Sequence, residues 1–301
     1  MGDETASNTG DTMIHPTRQD FHLIHRLRVR WAEVDIQRIV FNSHYLTYMD
    51  IAFTEYWRAL AIPYESIPTL LGGDLYVKKS TLEYHDPARL DDHLGIGLKC
   101  ARIGNSSIVF LGAVFRGDVL LVSAEMVYVF ADPATQTSKP VPDTLRDILR
   151  TFEAGVSSVE CQLGAWVDLG DQARALRQAV FADELRIALG LDYDAADLEA
   201  THIVVRNRLG QALATGRLTQ EAPGVGRIAR VAVHRAMRAA GFGRMAMESL
   251  METATTRGDT RVVLLCQRSA EGFYRNLGFV PVAEPTMEAG VPHIEMAWTA
   301  P

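Results

Sequence analysis

The sequence predicts an α+β chain made of two unlike halves. Three observations predict it. The first half holds one long helical pattern followed by a series of apolar runs with strand character. The second half alternates helical and strand-like stretches around a glycine-bearing turn. The character changes near residue 150, and no internal repeat or low-complexity tract links the halves.

Composition sets the frame. The chain has 301 residues, 48% apolar and 22% charged, which suits one large or two ordinary domains. A net charge of −7 argues against a nucleic-acid backbone as main partner. No run of about eighteen apolar residues occurs, so no membrane-spanning helix is expected. The start, MGDETASNTGDTMIHPTRQD, is polar and lacks an apolar signal core, so residues 1–20 are expected to be a disordered tail. Ala6 breaks the myristoylation pattern. Cys100, Cys161 and Cys266 lie far apart, without zinc spacing and in odd number. Neither a metal site nor a disulfide framework is expected, and a reducing cytoplasm fits.

The elements follow in order. FHLIHRLRVRWAEVD (21–35) reads as a strand and leads into a helix. YVKKSTLEY and DDHLGIGLKCARIG read as strands. NSSIVFLGAVF and DVLLVSAEMVYVFAD form a hairpin around Arg116-Gly117-Asp118. TSKPVPDTL is a proline-broken exit, and LRDILRTFEAG is a short amphipathic helix. The boundary falls between Thr151 and Ser158, giving domains 21–152 and 158–301. In the second domain a polar helical stretch (DLGDQARALRQAVFADELRIALG) comes first. The strands THIVVRNRLG and QALATGRLTQ follow, joined at Leu209-Gly210, and RIARVAV is a third. A long helix, the strand RVVLLC, a short helix in SAEGFYRNL and the strand HIEMAW complete it.

At 100° per residue, Tyr45, Met49, Ala52, Phe53, Tyr56 and Leu60 share one side of the first helix. Thr47, Asp50, Thr54 and Arg58 share the opposite side. Glu55 falls beside Tyr48 at the apolar edge, where a carboxylate is either paired with Arg58 or has chemical work. Asp35, ahead of this helix, reads as a turn or cap residue. It also reads as a carboxylate acting on a thioester carbonyl held by the free N–H groups of the helix start.

The first half resembles the hot-dog acyl-CoA thioesterases of the 4-hydroxybenzoyl-CoA thioesterase type. RVRWAEVD, VFNSHYLTYMDIAFTEYWR, LEYHDPARLDDHLGI and VYVFAD with TSKPVP carry the resemblance, over about residues 21–150. It implies a long helix wrapped by an antiparallel sheet. It implies Asp35 as base or nucleophile, the backbone N–H of Asn42 as the group polarising the thioester, and Glu55 as a helix carboxylate used by some members. It also implies a homodimer or homotetramer. Arg38 stands where the family often has glycine, and Asn42 where many members have His or Tyr.

In the second half, RVAVHRAMRAAGFGRMAMESL places glycines between a strand and a helix start, where backbone N–H groups bind phosphate. It is neither a Walker loop nor a dinucleotide fingerprint. Together with QRSAEGFYRNLGF and MEAGVPHIEM it resembles the GCN5-related N-acetyltransferases (GNAT), over about residues 158–299. The resemblance implies acetyl-CoA and a small amine acceptor as substrates. The backbone of Val231 and Val233 would meet the pantetheine arm. Arg238, Ala239, Ala240, Gly241, Phe242, Gly243 and Arg244 would hold the pyrophosphate. Gln267 would touch the cofactor, and Tyr274 would protonate the leaving thiolate, although its place in a short amphipathic helix also suits a core aromatic. Glu288 and His293 are acceptor-side candidates. Ala239 stands where the family often has glycine.

These readings combine into a cytoplasmic, bifunctional CoA-thioester enzyme that uses no metal and engages neither membrane nor nucleic acid. The alternative is that the first domain only dimerises and binds acyl-CoA, with acetyl transfer the sole chemistry.

Overall fold

The computed structural model describes residues 15–186, 193–288 and 290–300. The chain divides into two compact units, one of residues up to Tyr56 with Leu71–Gly155, the other of Trp57–Leu70 with Val156 onward. The segment Trp57–Leu70, contiguous in sequence with the first unit, belongs to the second. Asn207 Nδ2 donates to the Ala61 carbonyl there at 2.9 Å.

The first unit is a helix against a five-stranded antiparallel sheet. Its strands are β1 (Leu23–Arg28), β2 (Asp74–Tyr84), β3 (His93–Ile103), β4 (Ser107–Arg116) and β5 (Val119–Ala131), in spatial order β1-β3-β4-β5-β2. Helix α1 starts in this unit and spans Asn42–Ala59, and α3 is Asp143–Glu153; the short α2 (Ile67–Leu71) falls, but for Leu71, in the segment that belongs to the second unit. This is the hot-dog arrangement implied by the resemblance. The helical spacing holds over α1, where Tyr45, Met49, Ala52, Phe53 and Tyr56 are all buried; Leu60, expected on the same face, is buried too but lies one residue past the helix end. Phe53 stacks on Tyr128 of β5 with ring centroids 4.1 Å apart. Gly112 of β4 lets α1 approach, because a Cβ there would lie 2.5 Å from the Met49 sulfur. In α3 the expected amphipathic face is Leu145, Ile148 and Leu149, at i, i+3 and i+4 spacing.

Two expectations change. The strand expected over 21–35 ends at Arg28, and Trp31–Glu33 form a 3-10 turn. Glu33 causes the break: its carboxylate folds back onto the Arg30 N–H at 2.7 Å and Arg30 Nε at 2.8 Å, a local closure no extended strand permits. Part of the expected disordered tail is ordered: Arg18–Asp20 form a 3-10 turn capped by Thr17, and an Arg18 Nη donates to the Gly117 carbonyl at 3.0 Å. Residues 1–14 of that tail lie outside the described residues.

The second unit is an eight-stranded sheet covered on both faces. Its strands are β6 (Val159–Gly164), β7 (Thr201–Asn207), β8 (Ala212–Ala222), β9 (Val225–Val233), β10 (Arg261–Gln267), β11 (Val280–Pro281), β12 (Thr286–Glu288) and β13 (Val291–Thr299). The order is β11-β13-β10-β9-β8-β7-β6, with β12 on β13. Sequence reading missed β6, a short edge strand paired antiparallel with β7. The polar helical stretch becomes α4 (Trp166–Arg177), continued by a π-helical turn over Gln178–Glu184. Its expected end at 187–190 lies outside the described residues. The other helices are α5 (Phe242–Arg257) and α6 (Glu271–Arg275). Period-two alternation on β7 assigns the faces. Ile203 and Val205 share a core with Ala246, Met247 and Leu250 of α5, whereas Val204 packs with Leu169 and Ala173 of α4. Among the described residues, no helix is long and apolar enough to cross a membrane.

His202, also on β7, is buried in a polar cluster. Its Nε2 meets the Asp197 carbonyl at 2.8 Å and its Nδ1 faces an Arg177 Nη at 3.3 Å. The arginine can only donate, so Nδ1 accepts and the proton sits on Nε2 of a neutral ring. Burial, with the nearby arginines, holds the His202 pKa below 6.5 despite the opposing pull of Asp197. Burial also lowers that of His234. As pH falls through 6.5 the unfolded chain takes up protons that the folded unit refuses, so stability is full above that pH and lost below it. The urea midpoint of this unit is therefore expected to drop between about pH 7.5 and pH 5.5. A flat or rising midpoint would contradict the neutral assignment.

Candidate functional site

A cleft of about 430 Å³ opens where the 35–42 segment meets the end of β2, in the first unit. Asp35, Asn42, Tyr45, Tyr84, His85 and Asp86 are among its lining residues. The Asp35 turn is built by its own backbone: the Asp35 N–H donates to the Ile39 carbonyl at 3.0 Å, and the Arg38 N–H returns to the Asp35 carbonyl at 2.9 Å. The carboxylate accepts the Gln37 N–H at 2.8 Å, so Asp35 does serve as a turn residue. It also lines the cleft, so the two readings of Asp35 are compatible. The turn closes with Arg38 at φ +62°, a conformation that favours glycine. Arg38→Gly is expected to remove about 1 kcal/mol of backbone strain, less a few tenths returned by chain entropy. A raised urea midpoint at unchanged m-value would report it, and a lowered midpoint would mean the arginine side chain contributes more than the strain costs.

Helix α1 begins at Asn42, and its first N–H groups have no acceptor inside the helix. The cleft therefore brings together a carboxylate and a helix N-terminus, two of the features that the sequence reading joined. Glu55 does not line it and sits half-buried further along α1.

Sequence reading missed Glu33, which fastens this arrangement. It is 3% exposed, accepts the Tyr48 hydroxyl at 2.9 Å, and its backbone carbonyl accepts the Phe41 N–H at 2.9 Å. Burial opposes its charge, but the hydrogen bonds from Arg30 and Tyr48 outweigh burial and hold the carboxyl below its usual range. The available signal was a second carboxylate two residues before Asp35. On the far wall, Tyr45 accepts the Ala88 N–H at 3.0 Å, and Arg116 donates to the Pro87 carbonyl at 3.0 Å and to Asp86 at 2.7 Å. These bonds fix the Tyr84–Ala88 segment.

The second unit presents a different opening. β9 and β10 run parallel but pair only through Val225, Gly226 and Arg227 with Arg261, Val262 and Val263. Among the described residues, the β10 side of β9 carries no strand pairing beyond Arg227, and that stretch includes Val231 and Val233. Arg230 sits at φ +55° beside the register shift against β8, so a bulge accompanies the divergence. The glycine turn follows, with Ala239 at φ +64° and Gly241 at φ +92° as the N-cap of α5. The two glycines serve different ends. A Cβ on Gly241 would meet nothing within 4 Å, so the space over the helix start is open. A Cβ on Gly243 would lie 3.1 Å from Val233, so that glycine lets α5 pack on β9. The N–H groups of Phe242, Gly243 and Arg244 open α5 toward that space.

The side chains of this turn are already engaged. Arg238 makes a two-pronged ion pair with Glu184 at 2.7 and 2.6 Å, and Arg244 donates to Glu248 at 3.1 Å and to the Asn276 carbonyl at 3.2 Å. Ala240 is half-buried against the core, and Gln267 is the last residue of β10. Tyr274 is 9% exposed and packs against Phe273 and Phe279. Burial, helped by nearby Cys266, raises its pKa well above the usual value, so the hydroxyl keeps its proton. Glu288 is exposed on β12, and His293 Nδ1 meets the Val291 carbonyl at 2.9 Å.

Comparison with known proteins separates the same two parts. Residues 37–123 match the Thioesterase superfamily model, beginning two residues after Asp35, and residues 192–300 match the Acetyltransferase (GNAT) domain model. YjcF of Bacillus subtilis, an uncharacterized N-acetyltransferase, is 30% identical over 40% of this chain and 86% of its own length. The acyl-CoA thioester hydrolase YbgC of Escherichia coli is 28% identical over 40% of this chain and 89% of its own. The crystal structure of Escherichia coli ElaA is 31% identical over 46% of this chain and 98% of its own, with a TM-score of 0.42.

Proposed function

From the membership of the C-terminal part in the GNAT acetyltransferases and the match of residues 37–123 to the Thioesterase superfamily model, we propose a bifunctional CoA-thioester enzyme. The first unit hydrolyses an acyl-CoA. The second transfers an acetyl group from acetyl-CoA to a small amine. The observation that carries the hydrolase reading is Asp35 in one cleft with the N-terminus of α1. In this reading a thioester carbonyl lies on the first N–H groups of α1, which stabilise the oxyanion as charge moves to oxygen. The Asp35 carboxylate takes the proton of the attacking water. In the second unit the diverging β9 edge receives the pantetheine, the N-terminus of α5 the pyrophosphate, and Tyr274 gives a proton to the departing thiolate. A homodimer through the first unit is part of the proposal. β2 ends its sheet and exposes Tyr76, Val77 and Tyr84, an edge suited to pairing with a second copy.

The test crosses two substitutions with two assays: thiol release from aliphatic and aromatic acyl-CoAs without amine, and acetyl transfer to a panel of amines. Asp35→Asn should remove only the first activity and Tyr274→Phe should weaken only the second. No thiol release from any acyl-CoA by the unaltered protein would reduce the first unit to a binding and dimerising module.

A further inference from the structure

His85 lies in the same cleft as Asp35, and the reading of its chemistry rests on the hydrolase function proposed above. Its Nε2 is 2.9 Å from the Ser123 hydroxyl of β5. Ser123 does not line the cleft, so it steadies the ring from behind. A hydroxyl both donates and accepts, so it can hold Nε2 whether the ring is neutral or charged. Among the described residues Nδ1 has no hydrogen-bond partner. The backbone beneath is held too, since the His85 N–H donates to the Leu121 carbonyl at 2.8 Å. The charged and titratable groups around it are the His15 ring at 5.1 Å, Asp86 with its Arg116 partner at 2.7 Å, and Tyr84 and Asp35 along the cleft wall. Asp86 is paired with Arg116, which leaves the His85 imidazole as a cleft-lining side chain able to hand over a proton through its unpartnered Nδ1.

We propose that His85, steadied by Ser123, is the general acid of the cleft and protonates the departing thiolate. Water adds to the thioester carbon as Asp35 takes its proton, and the carbonyl electron pair moves onto the oxygen held at the start of α1. Collapse re-forms the carbonyl and breaks the C–S bond. Sulfur leaves with that electron pair and takes the proton from the imidazolium, after which Asp35 returns its proton to solvent and His85 regains one. The two groups thus divide the work, one accepting a proton on attack and one supplying a proton on departure.

The experiment compares kcat for one acyl group carried on CoA and on an arenethiol, whose thiolate is stable enough to leave unprotonated. His85 is exposed, so His85→Gln should fold. With the acyl-CoA, His85→Gln is expected to lower kcat roughly 100-fold at little change in KM. With the aryl thioester the loss should fall to a few-fold or less. Ser123→Ala, which keeps the imidazole but frees it, should show a smaller loss with the same dependence on leaving group. Unchanged kcat in His85→Gln on acyl-CoA, or an equal loss on both thioesters, overturns the assignment. Asp35→Asn in parallel separates the two ideas: if it abolishes release while His85→Gln does nothing, only the role of His85 fails. If the unaltered protein releases no thiol at all, the hydrolase reading fails first and this assignment falls with it.

Discussion

Asp35→Asn is expected to lower thiol release from acyl-CoA by 10²- to 10⁴-fold, roughly the range for removing a positioned general base, while leaving acetyl transfer intact. Asparagine is the informative replacement. Its amide oxygen can still accept the Gln37 N–H that Asp35 holds at 2.8 Å, so the turn survives. The change removes charge and basicity and little else. Loss of hydrolysis with an unchanged urea midpoint would assign Asp35 to chemistry. Full hydrolysis would leave it a turn residue that happens to line a cleft. Activity lost together with stability would point to the turn itself.

Asp197→Ala is expected to destabilise the second unit by about 3–5 kcal/mol, because it strips the counter-charge from buried cations. Asp197 is fully buried, with an Arg177 Nη at 2.8 Å and an Arg217 Nη at 2.9 Å. Its second oxygen accepts the Asp194 N–H at 2.9 Å and so closes the turn over Ala195–Leu198. Burial alone would raise its pKa, but the hydrogen bonds from Arg177, Asp194 and Arg217 hold it below the usual value. Neighbouring Asp194, bound by Arg217 and Arg230, is brought down to about 2. Glu160→Ala is the control. Its ion pair with Arg206 spans 3.0 Å but lies on the surface, where such pairs contribute about 0–1 kcal/mol. Urea denaturation of both variants at neutral pH measures the contrast, and near-equal effects would mean that Arg177 finds water or another partner once Asp197 is gone.

Local pattern carried much of the architecture. The buried side of α1 follows from residue spacing alone, since a helix 18 residues long must hide one wide face. The β4–β5 hairpin around Gly117, and the positions of β8, β9 and β10, are written in short-range alternation and turn chemistry. The 3-10 turn at Trp31–Glu33 was not legible, because RVRWAEVD alternates well enough for a strand and only the carboxylate of Glu33 reverses it. β6 was hidden for a related reason: six residues at a sheet edge carry too little pattern without their partner β7.

The candidate sites divide the same way. Asp35, Asn42 and the Gly241-Phe242-Gly243 turn were legible because helix starts and positive-φ turns demand particular residues close together in sequence. Glu33, Tyr48 and His85 were not legible as a group, and neither was the cluster of Arg177, Asp197, His202 and Arg217. What the sequence by itself determined is which segments become helix or strand and which residues stand at helix starts, since backbone geometry acts over a few residues. What only the tertiary structure decided is which polar side chains meet: Ser123 behind His85, Tyr48 on Glu33, Arg177 on Asp197. Those partners lie 15 to 38 residues apart. Burial makes the Glu33 and Asp197 pairings obligatory, because a polar group cut off from water must find its hydrogen bond inside the fold, while exposed His85 meets Ser123 because β2 pairs with β5 beside it.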